Sequence, residues 1–265
     1  MNFFVIAPTN IFSDIPSLRE KTVRVANLVR TLLIFRARGL ILFKYGKEDE
    51  ELYKLIEFFK IPSYLRKLVF KKEKALKYVG VAPPIRAFYE DSDFARYGFV
   101  IKSENGVSYV NIGLKDLVTI NSIELKEKSL VKLIREKDEW RIARKEEDFL
   151  FGFEYYIIED LVNYLSKVKN KENIIFATSR YGKEFSLEDL ISLNNLLKIK
   201  KNIYLLFGSP KEGLYEIFKK LNKKIEEYAD FVYNMFPNQG VKTIRTDEAI
   251  FGSLAILNLA VHKSI

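Results

Sequence analysis

Two glycine-containing segments are where this sequence could hold a ligand. LLFGSPKEGL (205–214) reads as a buried strand, a glycine turn and a second glycine at the start of a helix. In an open α/β sheet, ligands sit beyond the carboxyl ends of strands, and Gly208, Ser209 and Pro210 fall there. The spacing is neither GxGxxG nor GxxxxGK(S/T), which excludes a dinucleotide fingerprint and a P-loop; taken alone, an ordinary strand-to-helix turn explains it. NMFPNQGVKTIRTDEA (234–249) is less ordinary, a long stretch after a strand with no helical periodicity. Long ordered loops after buried strands are favoured places for function. Thr246 is expected to cap the helix that follows, with Asp247 and Glu248 facing its positive end.

The residues that are missing narrow the chemistry. There is no cysteine, which excludes disulfides, thiolate metal sites, iron–sulfur clusters and cysteine nucleophiles. The single histidine, His262, cannot build a histidine-centred zinc site or a Ser-His-Asp triad. No metal site is expected. Chemistry is left to positioning, arginines, carboxylates and backbone groups.

The elements that must position such groups alternate between strand and helix. FFVIA (3–7) is a strand ended by Pro8, and 17–35 carries Leu18, Val25, Leu28, Leu32 and Phe35 at helical spacing. Gly39 opens GLILFKY, whose unbroken apolar run suits a sheet covered on both faces. Helices are expected over 48–59 and 64–78. From 98 to 142 the texture changes to five short alternating runs, with a hairpin signal at Asn105-Gly106 and a turn at Lys137-Asp138. A small barrel of the OB type fits that count. The α/β texture then resumes, with helices over 153–168 and 186–197, from Gly213 and from Thr246, and strands over 174–178, 203–207 and 230–234. The spacing predicts an α/β domain made of 1–85 and 149–265, interrupted by an all-β insert at 86–148.

The 265 residues, 48% of them hydrophobic, suffice for one core with a small satellite. No apolar run is long enough to cross a membrane and no signal peptide opens the chain, so a cytoplasmic protein without membrane contact is expected. The formal charge of +9 is uneven. Residues 1–85 carry 16 basic and 8 acidic side chains, 86–148 carry 12 and 13, and 149–265 carry 16 and 14. A localised basic excess suits a polyanion; a surface covered by Lys/Glu pairs explains it equally well.

Seven ordered motifs carry a resemblance: LREKT (18–22), LVRTLLIF (28–35), YLRK (64–67), YVGVAPPIR (78–86), ATSRYGK (177–183), FGSPKEGL (207–214) and FPNQGVKTIRTDEAIFGSLAILN (236–258). Together they resemble the archaeal and eukaryotic branch of the SPOUT superfamily of RNA methyltransferases, which includes RNA uridine N3-methyltransferases. The resemblance spans nearly the whole chain outside the β insert. It implies a Rossmann-like parallel sheet with a deep C-terminal trefoil knot, a feature that periodicity does not show. It also implies three loops wrapped around S-adenosylmethionine. Phe207, Gly208, Ser209, Pro210 and Gly213 form the first; Phe236, Pro237, Asn238, Gln239 and Gly240 the second; Thr243, Ile244, Thr246, Glu248 and Ala249 the third, with Thr178 beside them. A homodimer that buries the final helix is implied as well. Independently, Ile250, Leu254, Leu257 and Val261 make one apolar stripe of that helix, with Ile256 and Ala260 on a second face.

The resemblance points to Arg30, in the pattern RTxxxF (30–35), as the arginine that approaches the target nucleotide; a helix arginine reaching a surface ion pair would look the same. Without cysteine the thiolate route to a C5-methylated pyrimidine is closed, so the acceptor is a ring nitrogen or a ribose oxygen. For uridine N3, Arg30 or Arg245 could stabilise the deprotonated imide. Glu212 or Glu248 could take the proton, although helix-start stabilisation explains both positions. Candidate RNA contacts are Arg66, Lys67, Lys71 and Lys72 in the basic stretch, Arg86, Arg96, Tyr109 and Arg141 in the insert, and Arg180; Tyr97, Phe99 and Trp140 are either base platforms or barrel core. The competing readings are a ribose 2′-O-methyltransferase and a non-catalytic RNA-binding or ribosome-assembly protein on the same fold.

Overall fold

The computed structural model describes residues 1–121, 123–197 and 199–261; His262 lies outside them. Strand β1 (Asn2–Pro8), helix α1 (Leu18–Ile34), β2 (Gly39–Phe43) and α2 (Glu50–Lys60) open the chain, followed by a single helical turn, α3 (Arg66–Val69). Five strands come next: β3 (Ala95–Glu104), β4 (Val107–Asn111), β5 (Val118–Asn121), β6 (Leu130–Glu136) and β7 (Glu139–Ile142). The remainder is β8 (Glu154–Ile158), α4 (Leu161–Val168), β9 (Asn173–Glu184), α5 (Leu187–Leu197), β10 (Asn202–Leu206), α6 (Leu214–Lys220), β11 (Phe231–Asn234) and α7 (Thr246–Val261).

Six strands form one parallel sheet in the order β11, β9, β10, β1, β2, β8. Alternate residues serve opposite faces. Val5, Ala7, Leu40 and Leu42 join the core with α1, α2, α5 and α7, while Ile6, Ile41 and Phe43 pack with Leu161 and Leu165 of α4 and Leu214, Ile217 and Phe218 of α6. A sheet covered on both faces needs continuous apolar strands, which is why GLILF shows no alternation. Each of the Val, Leu, Ile and Phe side chains, fully withdrawn from water, contributes on the order of 1.5–3 kcal/mol. The sheet reverses direction at its centre: β1 leads to β2 on one side, and β10 leads through α6 to β11 on the other. A crevice outside the carboxyl ends at such a reversal is a favoured ligand position.

The second sheet is antiparallel, in the order β5, β4, β3, β6, β7. Its hairpins turn at Asn105 (φ 51°) and Gly106 (φ 77°), and at Lys137 (φ 56°). Positive φ at Asn-Gly is what a tight hairpin requires. Val100, Val110, Ile112, Ile120 and Leu133 form a small core of its own. Ala95, Tyr97 and Ile134 belong instead to the main core, and Lys60 and Lys132 both reach Glu154, at 2.5 and 2.7 Å. The two sheets are therefore welded by apolar contact and by a shared carboxylate.

Three expectations are corrected. The helix expected over 64–78 is only α3 and one short 3-10 turn at Lys74–Leu76, because Phe70 is extended (ψ 135°) and the lysines after it give no apolar stripe. Over 153–168 the chain is first a strand and then a helix. Tyr155, Tyr156, Ile157 and Ile158 are β-formers at the sheet edge, and Asp160 accepts from Asn163 N at 2.9 Å to start α4. Thr246 does not cap α7: its hydroxyl donates to Gly208 O at 3.2 Å, while Arg245 stands at the cap position and its N–H donates to Glu248 Oε2 at 3.0 Å.

Candidate functional site

A cleft of about 210 Å³ opens beyond the carboxyl ends of β9, β10 and β11. Loop 207–213 makes its floor, and Ser209 holds that loop in a tight turn, its N–H donating to Glu212 O at 2.8 Å and its Oγ accepting from Glu212 N at 3.0 Å. A side chain at Gly208 would place Cβ 2.9 Å from Glu212 O, so glycine is required for the turn to close. Loop 234–245 makes the opposite wall. There Gln239 Nε2 donates to Val241 O at 2.8 Å, and Asn238 adopts the left-handed conformation (φ 57°) that asparagine tolerates. The ring of Phe236 lies on α7 where Gly252 leaves room; a Cβ there would come within 2.5 Å of it.

Of the residues expected to hold a cofactor, Thr178, Phe207, Gly208, Ser209, Pro210, Gly213, Phe236, Gln239, Thr243, Ile244, Thr246 and Ala249 line this cleft, together with Glu212 and Arg180. Pro237, Asn238, Gly240, Glu248 and Arg245 are not part of the lining. Ser179, Tyr181, Lys211, Glu216, Asn234 and Met235 line it without having been singled out. Lys211 lies inside the quoted glycine segment and Glu216 two residues beyond it, where extending the motif would have reached it. Ser179 and Tyr181 come from the C-terminal half of β9 and fall in the ATSRYGK motif, from which only Thr178 and Arg180 had been named.

Glu212 is tied on both oxygens. Lys220 Nζ lies 2.5 Å from Oε1, and the Tyr45 hydroxyl donates to Oε2. Those partners, Lys220 foremost, hold its carboxyl below the usual carboxylate range. A carboxylate so occupied is a weak base and a good anchor, fixing the loop to the segment after β2. Glu216 has no ion pair among the described residues and is the unneutralised carboxylate of the cleft.

Arg30 sits elsewhere, in a groove between α1 and α7 lined by Arg24, Thr31, Ile34, Asp247, Glu248 and Phe251 among others. Its Nη1 donates to Ile85 O at 2.6 Å. Asp247 pairs with Arg24, whose Nε reaches Oδ2 at 2.6 Å and whose Nη2 bonds Oδ1. The start of α7 thus divides cleft from groove.

The candidate RNA contacts separate into spent and exposed cations. Arg66 donates to Ile61 O at 2.9 Å and stacks 4.8 Å from the Phe58 ring centre. Arg96 is bound to the carbonyls of Ser92, Ile112 and Glu90 at 3.0, 3.0 and 2.7 Å. Arg141 is bidentate to Glu147 and also bonds Glu136. Tyr97 is buried with its hydroxyl on Phe151 O at 2.8 Å, which makes it core, and Tyr109, Phe99 and Trp140 are half-buried. Lys67, Lys71, Lys72, Arg86 and Arg180 are exposed. Among the described residues no group of histidines, cysteines or carboxylates could hold a metal ion, and no helix is long and apolar enough to cross a membrane.

A parallel sheet with backbone loops gathered around a cleft at its strand ends defines an α/β protein with a ligand site of mixed polarity. Over residues 2–257 the chain matches, and belongs to, the family described as "Putative RNA methyltransferase". That membership places it among RNA methyltransferases. It is similar to an uncharacterised protein of Haloarcula marismortui, 26% identical over 285 residues covering 98% of this chain and 99% of that one. It is also 26% identical to the 28S rRNA (uridine-N(3))-methyltransferase of Drosophila melanogaster, over 98% of this chain and 62% of that protein. Among solved structures it aligns with the SpoU methyltransferase AviRb of Streptomyces viridochromogenes in complex with AdoMet, at a TM-score of 0.40 and 10% identity, over 98% of this chain and 57% of that one.

Proposed function

We propose that the chain transfers a methyl group from S-adenosylmethionine to N3 of a uridine in structured RNA, with ribosomal RNA as the substrate. The observation that carries this reading is the cleft. Phe207, Met235, Ile244 and Ala249 give it apolar surface, and Thr178, Ser209, Gln239, Thr243 and Glu216 give it polar groups, the mixture that a nucleoside with a charged tail needs. The narrow turn at Gly208 lets backbone, rather than side chains, approach the ligand. The Drosophila relative's name supports uridine N3 as the acceptor, since the likeness runs along nearly all of this chain.

Bound in this cleft, S-adenosylmethionine supplies an electrophilic methyl group on a sulfonium, which leaves as a neutral thioether. The protein's share would be to place the nucleotide in line and to stabilise the imide once its N3 proton has passed to solvent water. Arg245, which follows Ile244 of the cleft wall, and Arg30 are the guanidiniums proposed for that anion; Arg30 lies in the α1/α7 groove outside its own chain's cleft and would serve the cleft of a partner copy. We assign Glu212 to holding the loop, because both of its oxygens are already engaged.

The reading includes the trefoil threading of the C-terminal loops and RNA binding by the β unit at 86–148. It also includes a homodimer: Ile34 (52% exposed) and Phe251 (48%) flank the α1/α7 groove, and a second copy seated there would cover both.

The test is calorimetric titration of S-adenosylmethionine into the wild type and Ala249→Phe, followed by methylation of ribosomal RNA and nucleoside analysis. The bulk of Ala249→Phe should fill the cleft and weaken binding about a hundredfold. N3-methyluridine in the digest supports the reading; a 2′-O-methylated nucleoside replaces it with the ribose reading. No binding by a folded wild type leaves the RNA-binding module.

A further inference from the structure

β9 does not end where its sheet partners end. Ala177 pairs with Val232 of β11, but the next residue of β11, Tyr233, pairs with Lys183. Thr178, Ser179, Arg180, Tyr181 and Gly182 are therefore five residues of β9 with no partner on β11, and the chain arches out of the sheet over the cleft. A bulge of this kind re-aims side chains at the rim of a site. The arch rejoins the sheet at Gly182, where a Cβ would lie 2.6 Å from Val232 O. It is held in shape by Thr178 Oγ1 on Leu206 O at 3.0 Å and by Tyr181 N–H on Ser179 Oγ at 3.2 Å.

At the crest, Tyr181 is 60% exposed while still lining the cleft. Its ring is not loose: the Arg180 guanidinium lies 4.7 Å from the ring centre, and Arg180 Nη2 donates to the Tyr181 hydroxyl at 2.6 Å. The other aromatics of the cleft are committed to packing, Phe207 being 1% exposed and Phe236 lying against Gly252. Burial does not explain an aromatic held open at the mouth of a ligand cleft with a cation fixed beside it. Unstacked RNA bases are taken up by such rings, and the neighbouring guanidinium suits the phosphate that travels with the base.

We propose that Tyr181 is the platform on which the target pyrimidine of the RNA stacks at the mouth of the cleft, with Arg180 holding the ring in place. Tyr181 is a base-positioning residue; the inference rests on the methyltransferase reading above and adds to it a subsite for the acceptor.

The test compares wild type, Tyr181→Leu and Tyr181→Phe on ribosomal RNA from cells lacking this protein, with labelled S-adenosylmethionine as methyl donor. Tyr181→Leu keeps bulk and loses the ring. It should leave S-adenosylmethionine affinity in calorimetry within twofold and raise the KM for RNA about tenfold or more. Tyr181→Phe should recover most of that loss. An unchanged RNA KM in Tyr181→Leu overturns the platform, as does a Tyr181→Phe variant equally impaired, which would make the hydroxyl rather than the ring responsible. Loss of S-adenosylmethionine affinity in Tyr181→Leu would make the residue a cofactor wall and also overturn it. A wild type that binds no S-adenosylmethionine and transfers no methyl group fails the functional reading, and the platform with it.

Discussion

The pair between Arg24 and Asp247 should be the most sensitive tertiary contact near the cleft. Arg24 stands on α1 and Asp247 in the first turn of α7, and their side chains are only 12% and 9% exposed. The pair is bidentate, which strengthens it and fixes its geometry. The bond to Asp247 holds the Arg24 guanidinium more firmly protonated than usual, against the opposing effect of burial. Arg24→Met preserves most of the stem and removes the charge. It leaves the Asp247 carboxylate with little water, offset only by the positive end of α7. Breaking a fully buried pair costs about 3–5 kcal/mol; some exposure remains here, so a loss of about 2–3 kcal/mol is expected. Asp247→Asn should cost about 2 kcal/mol, since Glu248 lies 3.8 Å from Arg24 and compensates in part. The double variant should lose clearly less than the sum, with a coupling of about 1.5–2 kcal/mol. Urea denaturation of the four proteins measures this directly, provided the slope is unchanged. Single variants that each cost under about 0.5 kcal/mol, or losses that simply add, would refute the reasoning.

Two further outcomes follow from the same contacts. Gly252→Ala places a methyl group 2.5 Å from the Phe236 ring, so the ring and loop 234–245 must move; a cost of about 1–3 kcal/mol in denaturation and a weaker S-adenosylmethionine affinity are expected, and a variant unchanged in both would refute the packing. Burial pushes the Asp189 carboxyl up, but Lys183, Ser186 and Tyr233 together hold it down at about 2. A depressed native value stabilises the fold fully above the unfolded value of about 4, and that contribution is lost as pH falls toward 2. Wild-type stability should therefore drop more steeply than that of Asp189→Asn across this window in denaturant titrations at stepped pH; parallel profiles would contradict the assignment.

Much of the architecture was legible because burial on two faces forces unbroken apolar strands, and GLILF, IIFA and IYLL could be little else. The stretch at 153–168 was misread because Tyr155 to Ile158 sits at a sheet edge, where half-exposed aromatics do not alternate cleanly. The glycines of 207–213 alone read as an ordinary strand-to-helix turn, and the absence of helical periodicity marked only 234–245 as unusual; the grouping of these loops came from the resemblance and not from the pattern. What no sequence pattern conveys is how a cation is spent. Arg66, Arg96 and Arg141 look like Lys67 and Arg86 in the sequence, yet the first three have their donors committed to carbonyls or carboxylates.

That partition bears on where a polyanion could lie. Committed guanidiniums have already given up their water to protein acceptors, so a phosphate gains from them only by breaking bonds that hold the fold. Among the candidate RNA contacts and the cleft lining, the exposed cations are Lys67, Lys71 and Lys72 beyond α2, Arg86 at the entry to the β unit, and Lys211 and Arg180 at the cleft, the last shared with the Tyr181 hydroxyl. Arg96 and Arg141 of the β unit are not among them. An RNA strand drawn by charge would meet the basic stretch and the cleft mouth, and the β unit would contribute shape and half-buried aromatic surface such as Tyr109. Neutralising Lys67, Lys71 and Lys72 should then flatten the salt dependence of RNA binding, whereas Arg96→Ala should act through stability.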